Sequence, residues 1–150
     1  ECKVRYEKTL ENGMNKKVTE PYLVDALSFT EAEARIIEEV SPYISGEFTI
    51  ADIKRANYTE LFFCEEDSAD RWFKCKLTFI SLDEKSGAEK KTSTNVLVQA
   101  SDLRDAVKKL DEGMKGSMAD YIIASVAETA IMDVYPYSSE PNDKPEFPEA

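Results

Sequence analysis

The chain has 150 residues, which is about one domain on the usual prior of one domain per ~100–200 residues. Its hydrophobic fraction of 42% and charged fraction of 33% exclude an intrinsically disordered chain, and no apolar run approaches the ~18 residues that cross a bilayer. The formal charge of −11 argues against a polyanion-binding surface over most of the molecule, and zero histidines remove the commonest catalytic base and metal ligand.

The sequence repeats itself at an offset of 73 to 74 residues. Apolar positions coincide in order through both halves, and chance rarely aligns five elements in this way. The matching stretches are 2–6 with 75–79, 16–19 with 90–93, 23–26 with 97–100, 29–36 with 103–110, and 48–62 with 121–135. We therefore predict an internal duplication, with copies over 1–63 and 73–137 and a short acidic joint over 64–72.

Each copy opens on residues that alternate between apolar and polar side chains, which predicts a half-buried strand. The apolar set is Cys2, Val4 and Tyr6 in the first copy and Phe73, Cys75, Leu77 and Phe79 in the second. Asn12-Gly13 and Ser86-Gly87 then supply the positive φ values of a hairpin turn. A second strand follows at Lys17–Asp25 in the first copy and at Lys91–Gln99 in the second.

A helix follows the hairpin in each copy. Ser28 and Glu31 have the Ser-x-x-Glu spacing of a capping box, and Asp102 occupies the cap position of the second copy. Behind each cap, apolar residues recur every three or four positions, which predicts an amphipathic helix with one face on a sheet. The stripe consists of Phe29, Ala32, Ile36 and Val40 in the first copy and Leu103, Ala106, Leu110 and Met114 in the second. Pro42 ends the first helix, and Gly113 with Gly116 ends the second.

The last third of each copy is predicted from the repeat. Thr49–Arg55 alone is compatible with a helix, but its counterpart Tyr121–Val126 is β-branched and aromatic. Those residue types favour a strand, and the duplication extends that prediction to both copies. One more strand follows at Tyr58–Phe63 in the first copy and at Ile131–Tyr135 in the second.

These elements define the predicted architecture. The fold class is α+β, with a duplicated ββαββ unit whose antiparallel sheets are covered by two helices about a pseudo-twofold axis. Because the joint is too short for a free linker, we predict a single compact domain over 1–137. Residues 138–150 are rich in proline and acidic residues, and we expect a mobile tail there. Since the chain begins at Glu1 inside an alternating pattern, we also expect a few natural residues to precede it.

Little in the sequence points to catalysis. The odd set of cysteines, Cys2, Cys64 and Cys75, predicts reduced and mostly buried thiols in the cytoplasm. A catalytic thiol normally has a histidine partner and a cysteine zinc site normally has four ligands, so neither is predicted. Paired carboxylates such as Glu38-Glu39 and Asp111-Glu112 lie on predicted helix ends, where a solvated face is expected rather than a desolvated acid–base pair. We expect no enzymatic activity, no cofactor and no metal.

Lysines and aromatic residues recur at matching positions of the two copies. Lys3 and Lys76 lie on the first strands. Four further lysines follow the hairpin turns, and these hairpin lysines are Lys16, Lys17, Lys90 and Lys91. The recurring aromatics are Tyr6 with Phe79, Phe48 with Tyr121, and Phe62 with Tyr135. Lysines interleaved with aromatics on a sheet are typical of single-strand nucleic-acid binding, through phosphate contacts and base stacking. The alternative is that the aromatics form the core and the lysines keep an edge strand soluble.

Three stretches of the chain resemble an uncharacterised bacterial family that is catalogued only as a domain of unknown function. Residues 18–35 read VTEPYLVDALSFTEAEAR, residues 69–76 read ADRWFKCK, and residues 90–95 read KKTSTN. The resemblance covers most of 1–137 and implies a cytoplasmic bacterial protein of this length. It implies no activity, cofactor or functional residue.

The sequence therefore predicts a non-enzymatic binding or assembly module in the cytoplasm, with no membrane contact. We expect its partner to be another protein, including a second copy of the chain, because sheet edges need covering. The alternative is a single-stranded nucleic-acid-binding module that uses lysines on the sheet. The candidate contact residues are Lys3, Lys16, Lys17, Lys76, Lys90 and Lys91.

Overall fold

The computed structural model describes residues 1–117 and 120–136. Its elements are β1 (Cys2–Thr9), β2 (Asn15–Val24), α1 (Phe29–Val40), a 3-10 turn (Ser41–Tyr43), β3 (Phe48–Ile53), β4 (Glu60–Phe62), β5 (Arg71–Leu82), β6 (Glu89–Ala100), α2 (Leu103–Gly113), β7 (Tyr121–Glu128) and β8 (Val134–Tyr135). The α+β class and the repeated ββαββ order are thereby confirmed. The predicted tail, 138–150, lies outside the described residues. No helix in the described part of the chain is both long and apolar enough to cross a membrane.

The strands form two four-stranded sheets that are built alike. The first has the order β3-β1-β2-β8 and the second has the order β4-β6-β5-β7. The long strands pair antiparallel, as predicted, whereas the short outer strands β8 and β4 pair in parallel with β2 and β6. The last strand of each copy therefore adds to the sheet that the other copy begins.

The chain divides into two compact units that follow these sheets. The first contains Glu1–Ala56 together with the described residues 131–136, and the second contains Asn57–Ala130. These boundaries differ from the predicted copies, 1–63 and 73–137, because β4 and β8 each change sheet. The prediction of a single compact domain over 1–137 stays a prediction.

The two helices begin with the same capping geometry. The Ser28 hydroxyl accepts a hydrogen bond from the Glu31 N–H at 3.1 Å, and the Glu31 carboxylate accepts one from the Leu27 N–H at 2.5 Å. In the second copy Asp102 accepts from the Asp105 N–H at 2.8 Å, and Asp105 accepts from the preceding Ser101 N–H at 3.0 Å. Each cap occupies one backbone donor of the first helical turn, which the helix itself would leave without a partner, and one donor of the residue before the cap. The repeated caps confirm the helix starts that the sequence predicts.

In each unit the helix buries its apolar stripe against one face of its sheet. Ala32, Ile36 and Val40 of α1 form a buried cluster with Cys2 and Val4 of β1. In the second unit the same arrangement joins Leu110 of α2 to Cys75, Leu77, Val96 and Val98. A fully buried Leu or Ile side chain contributes roughly 1.5–3 kcal/mol by leaving water. We call the face of each sheet that carries its helix the helix face and the opposite one the open face.

The first residue of each predicted stripe is not buried. Phe29 is 58% exposed and Leu103 is 50% exposed, although both have the spacing of the stripe. Each residue begins its helix, and a helical side chain leans towards the N-terminus. These two side chains therefore extend over the preceding loop rather than over the sheet, which corrects the prediction.

The outer antiparallel strands β3 and β7 contain a bulge at the same position of the repeat. The pairing of β3 with β1 shifts register between Lys3 and Val4, which leaves Ala51 without a counterpart. The pairing of β7 with β5 shifts between Lys76 and Leu77, which leaves Ala124 without one. A shared bulge is a detailed feature that supports the duplication.

Candidate functional site

The structure separates the six predicted contact lysines between the two faces of the sheets. Lys3 and Lys76 lie on the open faces, since their neighbours Cys2, Val4 and Cys75 belong to the buried clusters. Among the hairpin lysines, those on the open faces are Lys17 and Lys91 and those on the helix faces are Lys16 and Lys90. The six residues therefore do not form one surface within either unit.

The hairpin lysines all lie on stretches of strand that have an unpaired outer side. β8 pairs with Leu23 and Val24 of β2, so no strand of the described residues lies beside Lys16 and Lys17 on the outer side of β2. β4 likewise pairs only with 96–98 of β6. All four lysines are exposed. Lysines on such edges discourage pairing with other chains, so this placement supports the edge-protecting interpretation.

The recurring aromatic residues lie on the helix faces. Tyr6, Phe48 and Tyr135 pack against the cluster of the first unit. Their counterparts in the second unit pack likewise against its cluster, and these are Phe79, Tyr121 and Phe62. Lys3, Lys17, Lys76 and Lys91 are on the opposite faces, so these aromatics cannot stack bases beside them. Of the six candidate lysines, Lys16 and Lys90 alone share a face with these aromatics, so the described residues do not bring most of the lysines and the aromatics together on the kind of platform that single-strand binding uses.

One outer strand, β7, carries no charged residue over Tyr121–Ala127. Its inner side pairs with β5, and no described strand pairs with its outer side. Ile122 is 54% exposed, and Ala124, Ser125 and Ala127 are exposed as well. An uncharged, accessible edge of this length offers a row of backbone donors and acceptors to another strand. We call this surface, the outer side of Tyr121–Glu128, the β7 edge.

The equivalent edge of the first unit, on β3, is protected by charges. At the three open-face positions, β3 and the residue after it carry Thr49, Asp52 and Lys54. The matching residues of β7 are Ile122, Ser125 and Ala127. Both sets lie at equivalent positions of the repeat, around the same bulge. A strand of this shape therefore accommodates charged side chains there, and the fold does not require the uncharged residues of β7. The duplication therefore supplies a natural comparison in which one copy has a protected edge and the other does not.

Sequence reasoning missed the β7 edge although the signal was present. The repeat alignment identifies Tyr121–Val126 as a strand and was used only for that purpose. A comparison of charges at aligned positions, Asp52 with Ser125 and Lys54 with Ala127, would have identified the unprotected copy. What the alignment could not supply is the strand order, which makes β7 an outer strand.

A groove of about 690 Å³ in the second unit lies between α2 and the acidic joint. The Lys109 ammonium donates hydrogen bonds to Asp105 at 2.7 Å and to Glu66 at 3.1 Å. The bond from Lys109, aided by the Ser101 N–H, lowers the pKa of Asp105 to about 2. The bond to Asp105 in turn raises the pKa of Lys109 above its ordinary value. A lysine nucleophile must be neutral, so Lys109 acts here as a charged anchor that ties the joint to α2.

Cys2 and Cys75 occupy buried positions, as the sequence predicts for small hydrophobes, whereas Cys64 is half-buried. Cys2 is 1% exposed, Cys75 is fully buried, and all three thiols are free. Burial raises the pKa of Cys75 to about 11 and also raises the pKa of Cys2, which makes both weak nucleophiles. Within residues 1–117 and 120–136 no group of three metal-ligating side chains comes together.

The profile of the domain-of-unknown-function family DUF4494 matches residues 1–137, and the chain belongs to this family. Neither the curated proteins nor the solved structures yielded a match.

Proposed function

We propose that the chain is a non-enzymatic protein-binding module that engages its partner by strand addition at the β7 edge. A single observation carries the proposal: an exposed outer strand without a charge over Tyr121–Ala127. In strand addition, backbone hydrogen bonds supply affinity and the side chains on either face supply selectivity. The other long outer strands carry charged residues. The free-energy cost of pairing with a strand of another chain is therefore lowest at β7.

Both faces of β7 suit a protein partner. On the helix face Ile123 and Val126 pack against the buried cluster of the second unit. A partner strand placed beside them extends that apolar surface by one more row. On the open face Ile122, Ser125 and Ala127 present small or apolar side chains that another strand can approach closely.

Nucleic acid remains the second candidate because of one observation in the second unit. Its open face carries Lys74, Lys76 and Lys91, all exposed, although Lys74 lies opposite the buried Leu97. These lysines could contact phosphates. The corresponding aromatics are on the helix face, however, and the whole chain has a net charge of −11. We therefore favour the protein partner.

Peptide binding tests the proposed function directly. The probe is a fluorescein-labelled peptide of residues 120–129, and its control is the peptide of residues 47–56 from the protected copy. A double variant, Ser125→Asp/Ala127→Lys, gives the β7 edge the charges of β3 without changing the net charge. The variant should still fold, because an aspartate at position 125 lies opposite Lys76, in the same way that Asp52 lies opposite Lys3 in the first copy.

We expect the 120–129 peptide to raise its fluorescence anisotropy with the natural protein and much less with the double variant. The 47–56 peptide should bind weakly to both proteins, because its charged residues oppose edge pairing. Equal binding of the 120–129 peptide to the natural protein and the variant would contradict the proposal. So would the absence of binding to a natural protein that is monomeric in the same buffer.

A further inference from the structure

The backbone of β7 has a hydrogen-bonding pattern that an ordinary extended peptide does not match. Beyond one end of β7 the Thr129 N–H donates to the Trp72 carbonyl at 2.9 Å, and beyond the other the Ile80 N–H donates to the Asp120 carbonyl at 3.3 Å. Antiparallel ladders alternate residues whose backbone groups point inward and outward. Applying this alternation from each end of β7 towards its bulge identifies the residues whose backbone N–H and C=O groups point away from β5. They are Tyr121, Ile123, Val126 and Glu128.

The duplication supports this assignment from the other copy. The Lys54 N–H donates to the Glu1 carbonyl at 2.9 Å, and the Glu1 ammonium donates back to the Lys54 carbonyl at 2.6 Å. Lys54 is therefore an inward residue of the first sheet. Its repeat counterpart Ala127 falls on an inward position in the count for β7, so the two copies agree.

The bulge at Ala124 gives the outward groups an uneven spacing. They are separated by two, three and two residues, whereas a regular extended strand offers a group at every second residue. A regular peptide can therefore match one side of the bulge but not both. The spacing of two, three and two residues is the same in both directions along the strand. An antiparallel strand with the same bulge therefore places its backbone groups opposite all the outward groups of β7.

We propose that the partner of the β7 edge is the β7 edge of a second copy, paired antiparallel about a twofold axis. This inference rests on the proposed function and names its partner. Tyr121 then lies opposite Glu128 of the second copy, and Ile123 lies opposite Val126. The two Glu128 carboxylates lie at opposite ends of the pair, so they do not face each other. Such an interface closes on itself and gives a dimer rather than a filament.

The pairing fixes a register that cysteine cross-linking can read. Ile122 lies opposite Ala127 of the second copy, at a position without backbone hydrogen bonds. Cα atoms at such positions are about 4.5 Å apart, which is within the range of a disulfide. Within one chain these two positions are five residues apart along an extended strand, about 16 Å, and cannot be bridged. The variants Ile122→Cys and Ala127→Cys are therefore prepared singly and mixed.

We expect oxidised glutathione to convert the mixture into a disulfide-linked dimer and to leave each single variant largely unlinked. The natural protein is the control for Cys64, its most accessible thiol. Cross-linking of a single variant as strong as that of the mixture, or no cross-linking of the mixture, would overturn the proposal. If the mixture does not link but the 120–129 peptide still binds a monomeric chain, the second copy is excluded and strand addition at the β7 edge stands. If neither occurs, both proposals fail.

Discussion

Replacing Gly113 by alanine probes how β4 is seated in the second unit. An added Cβ would lie 2.8 Å from both Cδ1 and Cε1 of Phe62, and 3.0 Å from Cζ. Carbon atoms rest at about 3.5–4.0 Å, so the ring must move by roughly 0.7 Å. Phe62 packs against the buried cluster of the second unit, and its displacement loosens that packing. Because β4 has only three residues, Phe62 is one of its few attachments.

The size of the effect follows from two opposing contributions. Overpacking a well-filled site costs typically 1–3 kcal/mol, and the groove beside the ring places this site at the low end. Replacing a glycine by alanine in a helix interior raises the free energy of unfolding by up to about 1 kcal/mol. The gain is smaller at Gly113 because it is the last residue of α2. We therefore expect Gly113→Ala to lower the free energy of unfolding by about 1 kcal/mol in urea titrations.

A double-mutant cycle separates the contact from the helix effect. In the background Phe62→Leu the shorter side chain leaves room for a Cβ, so Gly113→Ala should be neutral or stabilising. The coupling between the two sites should be about 1 kcal/mol. The reasoning is refuted if Gly113→Ala stabilises the protein equally in both backgrounds.

Four further predictions concern ionisable groups and the charge that they carry. Because hydrogen bonds lower the folded-state pKa of Asp105 to about 2, its contribution to stability should be present above about pH 4 and lost as the pH falls towards 2. Asp105→Asn should flatten that part of the pH profile of urea unfolding, and parallel profiles would contradict the assignment. Cys64 should react with a disulfide reagent before Cys75, whose pKa burial raises to about 11; simultaneous reaction under native conditions would refute the buried placement. Replacing the hairpin lysines by alanine should leave the far-ultraviolet circular dichroism unchanged and reduce solubility. An oligothymidine should not bind the natural protein at low salt, and binding that weakens with a logarithmic salt slope of about −0.7 per phosphate would restore the nucleic-acid candidate.

The features that the sequence predicts well are those that neighbouring residues determine. The capping positions Ser28 and Asp102, the hairpin glycines and the strand alternation are local patterns, and the structure has them where expected. Gly13 and Gly87 have φ values of 85° and 72°, the left-handed region that these turns require. The duplication strengthened each prediction, since every element was read twice.

The features that the sequence did not predict depend on contacts between distant residues. The sequence predicts strands at Tyr58–Phe63 and Ile131–Tyr135, where β4 and β8 lie, but only their partners β6 and β2 define which sheet each one joins. The exposure of Phe29 depends on where α1 begins over its sheet, which periodicity does not encode. Strand order likewise decides that β7 is an outer strand, and without it an uncharged strand is indistinguishable from a central one.

The most direct test of pairing between two copies through the β7 edge is the molar mass of three proteins by light scattering at one concentration. They are the natural chain, the variant Ser125→Asp/Ala127→Lys, and a control, Thr30→Asp/Ala34→Lys, which places the same charges on exposed positions of α1. We predict that the natural chain and the control have twice the chain mass of 17.0 kDa and that the β7 variant has the mass of one chain. A dimer that persists in the β7 variant, or dissociates equally in the control, would contradict pairing through this edge.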